Sequence, residues 1–189
     1  PARSIRAAVV CCEQGLTAVI REEQIRQFVP DWSLAPVVEA LQALRGIALI
    51  GAVTLAAEIG DIRRFEHPRQ LMAFLGLVPG ERSSGETTRR GRITKAGNVL
   101  ARSTLIEAAW AYRQPAKIGM HMMLRQNGIP QVAKDIGWKA QVRLCGRYRR
   151  LVARGKKMPL AITAVARELV GFIWVLAHTV EPSSQHTQS

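Results

Sequence analysis

Glycine and proline cut this chain into helix-length pieces, and that punctuation limits its fold more than any other feature. Breaks fall at Pro30-Asp31-Trp32-Ser33, Arg45-Gly46, Gly60-Asp61, Gln114-Pro115, Gly128-Ile129-Pro130 and Lys156-Lys157-Met158-Pro159. Between them apolar residues recur at helical spacing. Ser33 is the expected N-cap of a helix with Pro36 in its first turn and Val37, Val38, Leu41 and Leu44 on one face. A second apolar helix follows over Ile50 to Glu58, joined to the first by a tight glycine-containing turn. A third, from His67 to Gly76, has Pro68 near its start and Gly76 as its C-cap. From Asn98 the period returns with Leu100, Thr104, Leu105, Ala108 and Ala109 toward one face. The stretch from Gln131 to Arg154 is helical, with a break allowed at Gly137, and a terminal helix ends the ordered chain.

The reading is mainly α: a helical domain with a helix-hairpin-helix-like unit, an irregular basic loop and long C-terminal helices. Residues 1–33 are expected to be the end of a helical or coiled-coil linker, 34–180 the domain itself, and 181–189 a disordered tail. The start at Pro1, with no Met and no charged-then-apolar leader, suggests a fragment.

Charge narrows the function. Against 14 acidic residues stand 27 Lys and Arg, a net charge of +13 on 189 residues. Such a surplus favours a polyanionic partner, because each neutralised phosphate releases condensed counterions. Nucleic acid is the first reading, an anionic membrane the second, and a solvated basic surface the alternative to both. Cys11, Cys12 and Cys145 lack the spacing of a disulfide framework or a zinc site. His67, His121, His178 and His186 form no ligand pair, so no metal site is expected in this chain. A cytoplasmic setting follows from the cysteines. Leu160 to Val180 is apolar, but Arg167 and Glu168 lie near its middle, which favours a buried or dimer-forming helix over a membrane span.

Three segments could carry chemistry. The turn Gly46-Ile47-Ala48 sits where a helix-hairpin-helix brings backbone N–H groups against a DNA phosphate, with Gly46 the contact residue and Ala48 in the place of a second glycine. A purely structural αα-hairpin is the alternative. The stretch from Gly80 to Gly97 should be a loop or an irregular two-stranded excursion. Within and just beyond it lie Arg82, Arg89, Arg90, Arg92, Lys95 and Arg102 against Glu86, interleaved with hydroxyls and glycines, a composition suited to phosphate. A serine beside Gly85 could act as a nucleophile if activated; a flexible basic loop is the plainer reading. Third, Lys139, Arg143, Arg147, Arg150 and Arg154 recur along one helical face. Trp138, Val142, Cys145 and Val152 trace an apolar stripe roughly opposite, expected to dock on the core. A solvated charged face is the alternative to a nucleic-acid ridge, and charge does not separate RNA from DNA.

Taken in order, these segments resemble the IS110, IS116 and IS902 type of insertion-sequence transposases. The resemblance rests on Leu-Arg-Gly-Ile at 44–47, Ala-Glu-Ile-Gly-Asp-Ile-Arg-Arg-Phe at 57–65 and Pro-Arg-Gln-Leu-Met-Ala-Phe-Leu-Gly-Leu-Val-Pro at 68–79. It continues through Ser-Ser-Gly at 83–85, Gly-Arg-Ile-Thr-Lys-Ala-Gly-Asn at 91–98, Glu-Ala-Ala-Trp at 107–110, Trp-Lys-Ala-Gln at 138–141 and Ala-Arg-Glu-Leu at 166–169. It implies a DNA transposase whose N-terminal RuvC-like domain holds Mg²⁺ on an Asp-Glu-Asp-Asp set and whose C-terminal domain supplies a serine that attacks the DNA backbone. It also implies a homo-oligomer and a guide RNA. On this chain the serine maps to Ser84, with Ser83 in reserve. The acidic set is not found here, so the expectation is a chain that binds nucleic acid but neither cuts nor joins it, with no cofactor of its own. The alternative is a non-catalytic nucleic-acid-binding remnant of a decayed element.

Overall fold

A computed structural model describes residues 18–84 and 87–180, giving only the backbone for 18–22 and 81–92. The linker expected over 1–33 therefore falls partly, and the tail at 181–189 wholly, outside the described residues. What is described is mainly α. Helices α1 (Ala18–Phe28), α2 (Ala35–Leu41), α3 (Leu49–Ile59) and α4 (Pro68–Phe74) lead into an antiparallel pair, β1 (Pro79–Ser84) and β2 (Thr87–Ile93). Helices α5 (Val99–Trp110), α6 (Met120–Arg125), α7 (Gln131–Ala153) and α8 (Met158–Thr179) follow.

The punctuation acts much as expected, with local differences. Leu34 rather than Ser33 precedes α2, without a side-chain cap, while Pro36 does occupy its first turn. Helix α2 ends at Leu41, so Leu44 packs from the connecting turn instead of the helix face. His67 caps α4: its Nδ1 accepts from the Arg69 N–H at 3.1 Å, and the Gln70 side chain accepts from the His67 N–H. Gly76, at φ 65°, ends that helix, with the Leu77 N–H reaching back to the Met72 carbonyl at 2.9 Å. On α5 the buried positions are Ala101, Arg102, Leu105, Ala108 and Ala109; Leu100 is exposed, so the true inner face is turned from the expected one. Helix α7 runs unbroken through Gly137.

The core is organised around α8. Ala161, Ile162, Val165, Ala166, Leu169, Val170, Ile173, Leu176 and Ala177 are all buried, and the helix touches α2, α4, α5 and α7. Alone among the described helices it is long and apolar enough to cross a membrane; here half of that apolar window is buried inside the protein. The indole N–H of Trp174 donates to the Phe65 carbonyl at 2.7 Å and ties the segment after α3 onto α8. Phe65 and Phe74 meet at 5.5 Å, both beneath the Arg64 guanidinium.

Candidate nucleic-acid interface

The expected nucleophile lies on the hairpin formed by β1 and β2. Glu81 pairs with Arg90, Arg82 with Arg89, Ser83 with Thr88 and Ser84 with Thr87, with an irregularity between Pro79 and Glu81. The two-stranded alternative for residues 80–97 is thus the one adopted. Ser84 closes β1 in the terminal pair of the ladder; Ser83 sits one pair inward. Arg82, Ser84, Thr87 and Arg89 hold ladder positions of one parity. The side chains of Ser83, Ser84, Arg82, Arg89, Arg90 and Arg92 lie outside the described residues.

The base of the hairpin is fixed to the body by close backbone contacts. A Cβ on Gly76 would come within 2.1 Å of the Ala96 carbonyl oxygen, and one on Gly97 within 2.1 Å of the Phe74 oxygen. The Thr94 and Lys95 N–H groups donate to the Val78 and Gly76 carbonyls at 2.9 and 3.2 Å. Lys95 itself is exposed and, at φ 55°, the one described non-glycine residue in the left-handed region. Asn98 then starts α5: its Oδ1 accepts from the Ala101 N–H at 2.9 Å while its amide donates to Glu58 on α3. Arg102, only 8% exposed, donates to the Leu75 carbonyl at 3.2 Å. Sequence reasoning grouped Arg102 with the phosphate-binding arginines. Its burial makes it a strut under the hairpin instead.

Gly46 has a structural task. It adopts φ 85°, and a Cβ there would stand 2.3 Å from the Ala108 carbonyl oxygen of α5. The glycine is therefore required by helix packing. The turn spans residues 42–48 between α2 and α3, looser than the tight turn expected. Ala48 precedes α3 with no side-chain cap, so the first N–H groups of that helix have no side-chain acceptor at the cap position. The carbonyls at the end of α2 are covered from α6: Arg125 donates to Gln42 and Leu44 at 3.0 and 3.2 Å, and Gln126 donates to Ala43 at 3.1 Å. Burial lowers the Arg125 pKa from its ordinary value.

Helix α7 departs from its expected orientation. Its inner face is Ala133, Gly137, Ala140, Gln141, Leu144, Cys145 and Tyr148. Trp138, Val142 and Val152, assigned to the docked stripe, are 43, 50 and 42% exposed. The reason is close approach. A Cβ on Gly137 would meet the Ala43 carbonyl oxygen at 2.4 Å, so α7 presses its smallest residues against the α2–α3 turn. The fully buried Gln141 completes the seam. Its Oε1 accepts from the Lys117 N–H at 3.2 Å and its amide donates to the Met122 sulfur at 3.2 Å, while Arg45 reaches the Pro115 carbonyl at 2.8 Å.

Lys139, Arg150 and Arg154 are exposed as expected, and Arg149, which the spacing argument omitted, joins them. Arg143 and Arg147 differ: both pair with Glu168 on α8, Arg143 by a direct contact and Arg147 at 3.7 Å. They pin the two helices together at the flank of the ridge. Sequence spacing along one helix could not reveal an acidic partner on the next. Two shallow grooves follow the outer face of α7. One, about 480 Å³, is lined by Ile118, Gln126, Gln131, Lys134, Asp135 and Trp138. The other, about 520 Å³, is lined by Val142, Arg143, Gly146, Arg149, Arg150 and Ala153. Among the described residues no three His, Cys, Asp or Glu side chains come together as a group that could hold a metal ion.

Against known proteins, residues 38–118 match the family model described as Transposase IS116/IS110/IS902 family. The chain is 59% identical over 156 residues to a Sinorhizobium fredii protein named "Putative transposase y4qE", covering 82% of this chain and 40% of that protein. It is 39% identical over 79 residues to the "Transposase for insertion sequence element IS1111A" of Coxiella burnetii, covering 42% of this chain and 22% of that one. The chain thus spans two fifths or less of the length of these relatives.

Proposed function

We propose that this chain, whose residues 38–118 belong to the IS116/IS110/IS902 transposase family, is the DNA-binding portion of a transposase that moves an insertion element. The observation that carries the reading is the outer face of α7. There Lys139, Arg149, Arg150 and Arg154 stand exposed, while the helix's acidic neighbour Glu168 is already engaged by Arg143 and Arg147. Such a ridge suits a phosphate backbone, and the uncapped start of α3 offers N–H groups to a further phosphate. An RNA encoded by the element is a second polyanion that the same charges would hold. A homo-oligomer is part of the same proposal.

Ser84 is the proposed nucleophile, with Ser83 in reserve. Its place in the terminal pair of a hairpin whose base is locked by Gly76, Gly97 and Arg102 supports this, because a rigid stem can deliver a tip residue to a bound strand. In the step, a bond forms between Ser84 Oγ and phosphorus, and a phosphorus–deoxyribose oxygen bond breaks. The serine proton ends on the released hydroxyl, so no outside energy source is consumed. Arg82, Arg89, Arg90, Arg92 and Lys95 would hold phosphates beside it. Mg²⁺, where the reaction uses it, would be held by carboxylates other than the described residues.

Titrating a labelled duplex across a salt series tests the binding. Each phosphate contact contributes about 0.9 to the slope of log K against log salt. Replacing Lys139, Arg149, Arg150 and Arg154 together with Ala is expected to flatten that slope by about 3.6 and weaken binding. An unchanged slope would refute the ridge. In the longer transposase, Ser84→Ala should abolish recombination and leave DNA binding intact, whereas a remnant would show binding alone. The 189-residue chain by itself is expected to form no covalent adduct with DNA.

A further inference from the structure

Four tryptophans are present, and three are accounted for. Trp32 is in the core; Trp110 carries the Arg113 guanidinium 5.0 Å from its ring centroid; Trp174 stacks on His178 at 3.9 Å. Trp138 is 43% exposed, and among the described residues no ring or guanidinium is stacked on it. It stands at the wall of the 480 Å³ groove with Ile118, and the rest of that lining is polar: Gln126, Gln131, Lys134 and Asp135. Gln131 donates to Asp135 at 2.8 Å, which partly satisfies the one carboxylate there. At 100° per residue Lys134, Trp138, Val142 and Arg149 fall within about 80° of one another on one flank of α7, and Val142 and Arg149 line the second groove, so it continues the first along the helix. From Lys134 to Ala153 the face is about 28 Å long.

An exposed indole beside an aliphatic side chain, flanked by cations on a continuous face, is the arrangement that takes unpaired bases. Duplex phosphates need only charge, but a splayed base needs an aromatic plane to stack on. We infer that the Ile118–Trp138 groove binds an unpaired base of a DNA strand, with Lys134 and Lys139 meeting the flanking phosphates and the cations of the second groove carrying the strand onward. The inference rests on the proposed DNA-binding role and adds to it a preference for opened over paired DNA. Cationic flanks favour a polyanion over a second copy of this chain, which carries the same +13 surplus.

The test uses the full chain with a fluorescent oligo-dT, an oligo-rU of equal length and a duplex of equal length. Trp138→Ala is expected to weaken oligo-dT binding about tenfold, since stacking one base on an aromatic ring contributes on that order. Trp138→Phe should restore most of the loss, and duplex binding should change less than twofold in both variants, which also reports an intact fold. Equal losses on strand and duplex, or no loss, would overturn the inference. So would a loss confined to oligo-rU, which assigns the groove to RNA, or a fall in the oligomeric mass of Trp138→Ala, which makes it a contact between copies. If the unsubstituted chain binds neither strand nor duplex at low salt, the DNA-binding reading itself falls.

Discussion

Replacing Gly137 with alanine is expected to destabilise this protein, and the same replacement at Gly146, on the same helix, to stabilise it. At Gly146 a new methyl meets nothing within 4 Å. The change there removes backbone freedom from the unfolded chain and should raise stability by about 0.5–1 kcal/mol. At Gly137 the methyl would lie 2.4 Å from the Ala43 carbonyl oxygen, where ordinary contact begins at 3.4 Å, so a gap of about 1 Å must open. That oxygen accepts the buried Gln126 amide at 3.1 Å, and Ala43 is wholly buried. Overpacking costs about 1–3 kcal/mol and a lost buried hydrogen bond about 1–3 kcal/mol, against a helix-propensity gain of about 1 kcal/mol. The net loss is about 3 kcal/mol, which places the two variants about 4 kcal/mol apart. Urea unfolding followed by circular dichroism reads this directly from the midpoints. Thermal midpoints should separate by roughly 8–16 °C for a chain of this size. Midpoints that shift in the same direction would refute the claim that α7 is seated by close approach at Gly137.

Arg102→Met should cost about 1–3 kcal/mol by stranding the Leu75 carbonyl, and hydrogen exchange should quicken at Thr94 and Lys95 before it does elsewhere. Glu168→Gln releases Arg143 and Arg147, so duplex affinity should rise and its salt slope steepen, while stability falls by no more than about 1 kcal/mol. An unchanged or reduced affinity would show that the two released arginines add no phosphate contact. Alkali should unfold the protein early. Burial raises the pKa of both the Cys145 thiol and the Tyr112 hydroxyl, whose oxygen has no hydrogen-bond partner among the described residues. Groups with a raised folded-state pKa contribute fully below their unfolded values and lose that contribution as pH climbs past them. The decline should therefore begin above about pH 8.5 and deepen above about pH 10. Cys145→Ser combined with Tyr112→Phe should flatten it, as unfolding free energies measured from pH 7 to 10.5 would reveal.

Element positions were legible because their signals are local. Pro36, Pro68, Gly76 and Asn98 do in the structure what their backbone chemistry requires within a few residues of themselves. The errors came where a distant segment decided. Trp138, Val142 and Val152 read as an inward stripe because they are large and apolar, yet Gly137 and Ala140 face the core, since the α2–α3 turn approaches too closely for anything bigger. Arg102 read as a free cation until a carbonyl 27 residues back claimed it. At Gly46 no pattern in the sequence showed that the missing side chain makes room for the carbonyl of Ala108. Arg149 was overlooked because a spacing of fours and threes was traced through its neighbours. The serine's position at the end of a strand follows from the register, which no pattern within residues 80–97 disclosed beyond the choice between loop and ladder.

The central place of α8 has a consequence for synthesis. Translation proceeds from the amino end, and α2, α4, α5 and α7 all leave the ribosome before the helix that joins them. Until Met158–Thr179 has emerged, four amphipathic segments wait with their inner faces wet, the condition under which nascent chains aggregate or recruit chaperones. The contacts of α2, α4 and α5 with α8 link residues far apart in sequence, so closure is slow by its topology. A stop codon near position 157 would consequently yield a polypeptide holding every cation of the α7 ridge but lacking the strut that mounts it. Proteases would clear that product.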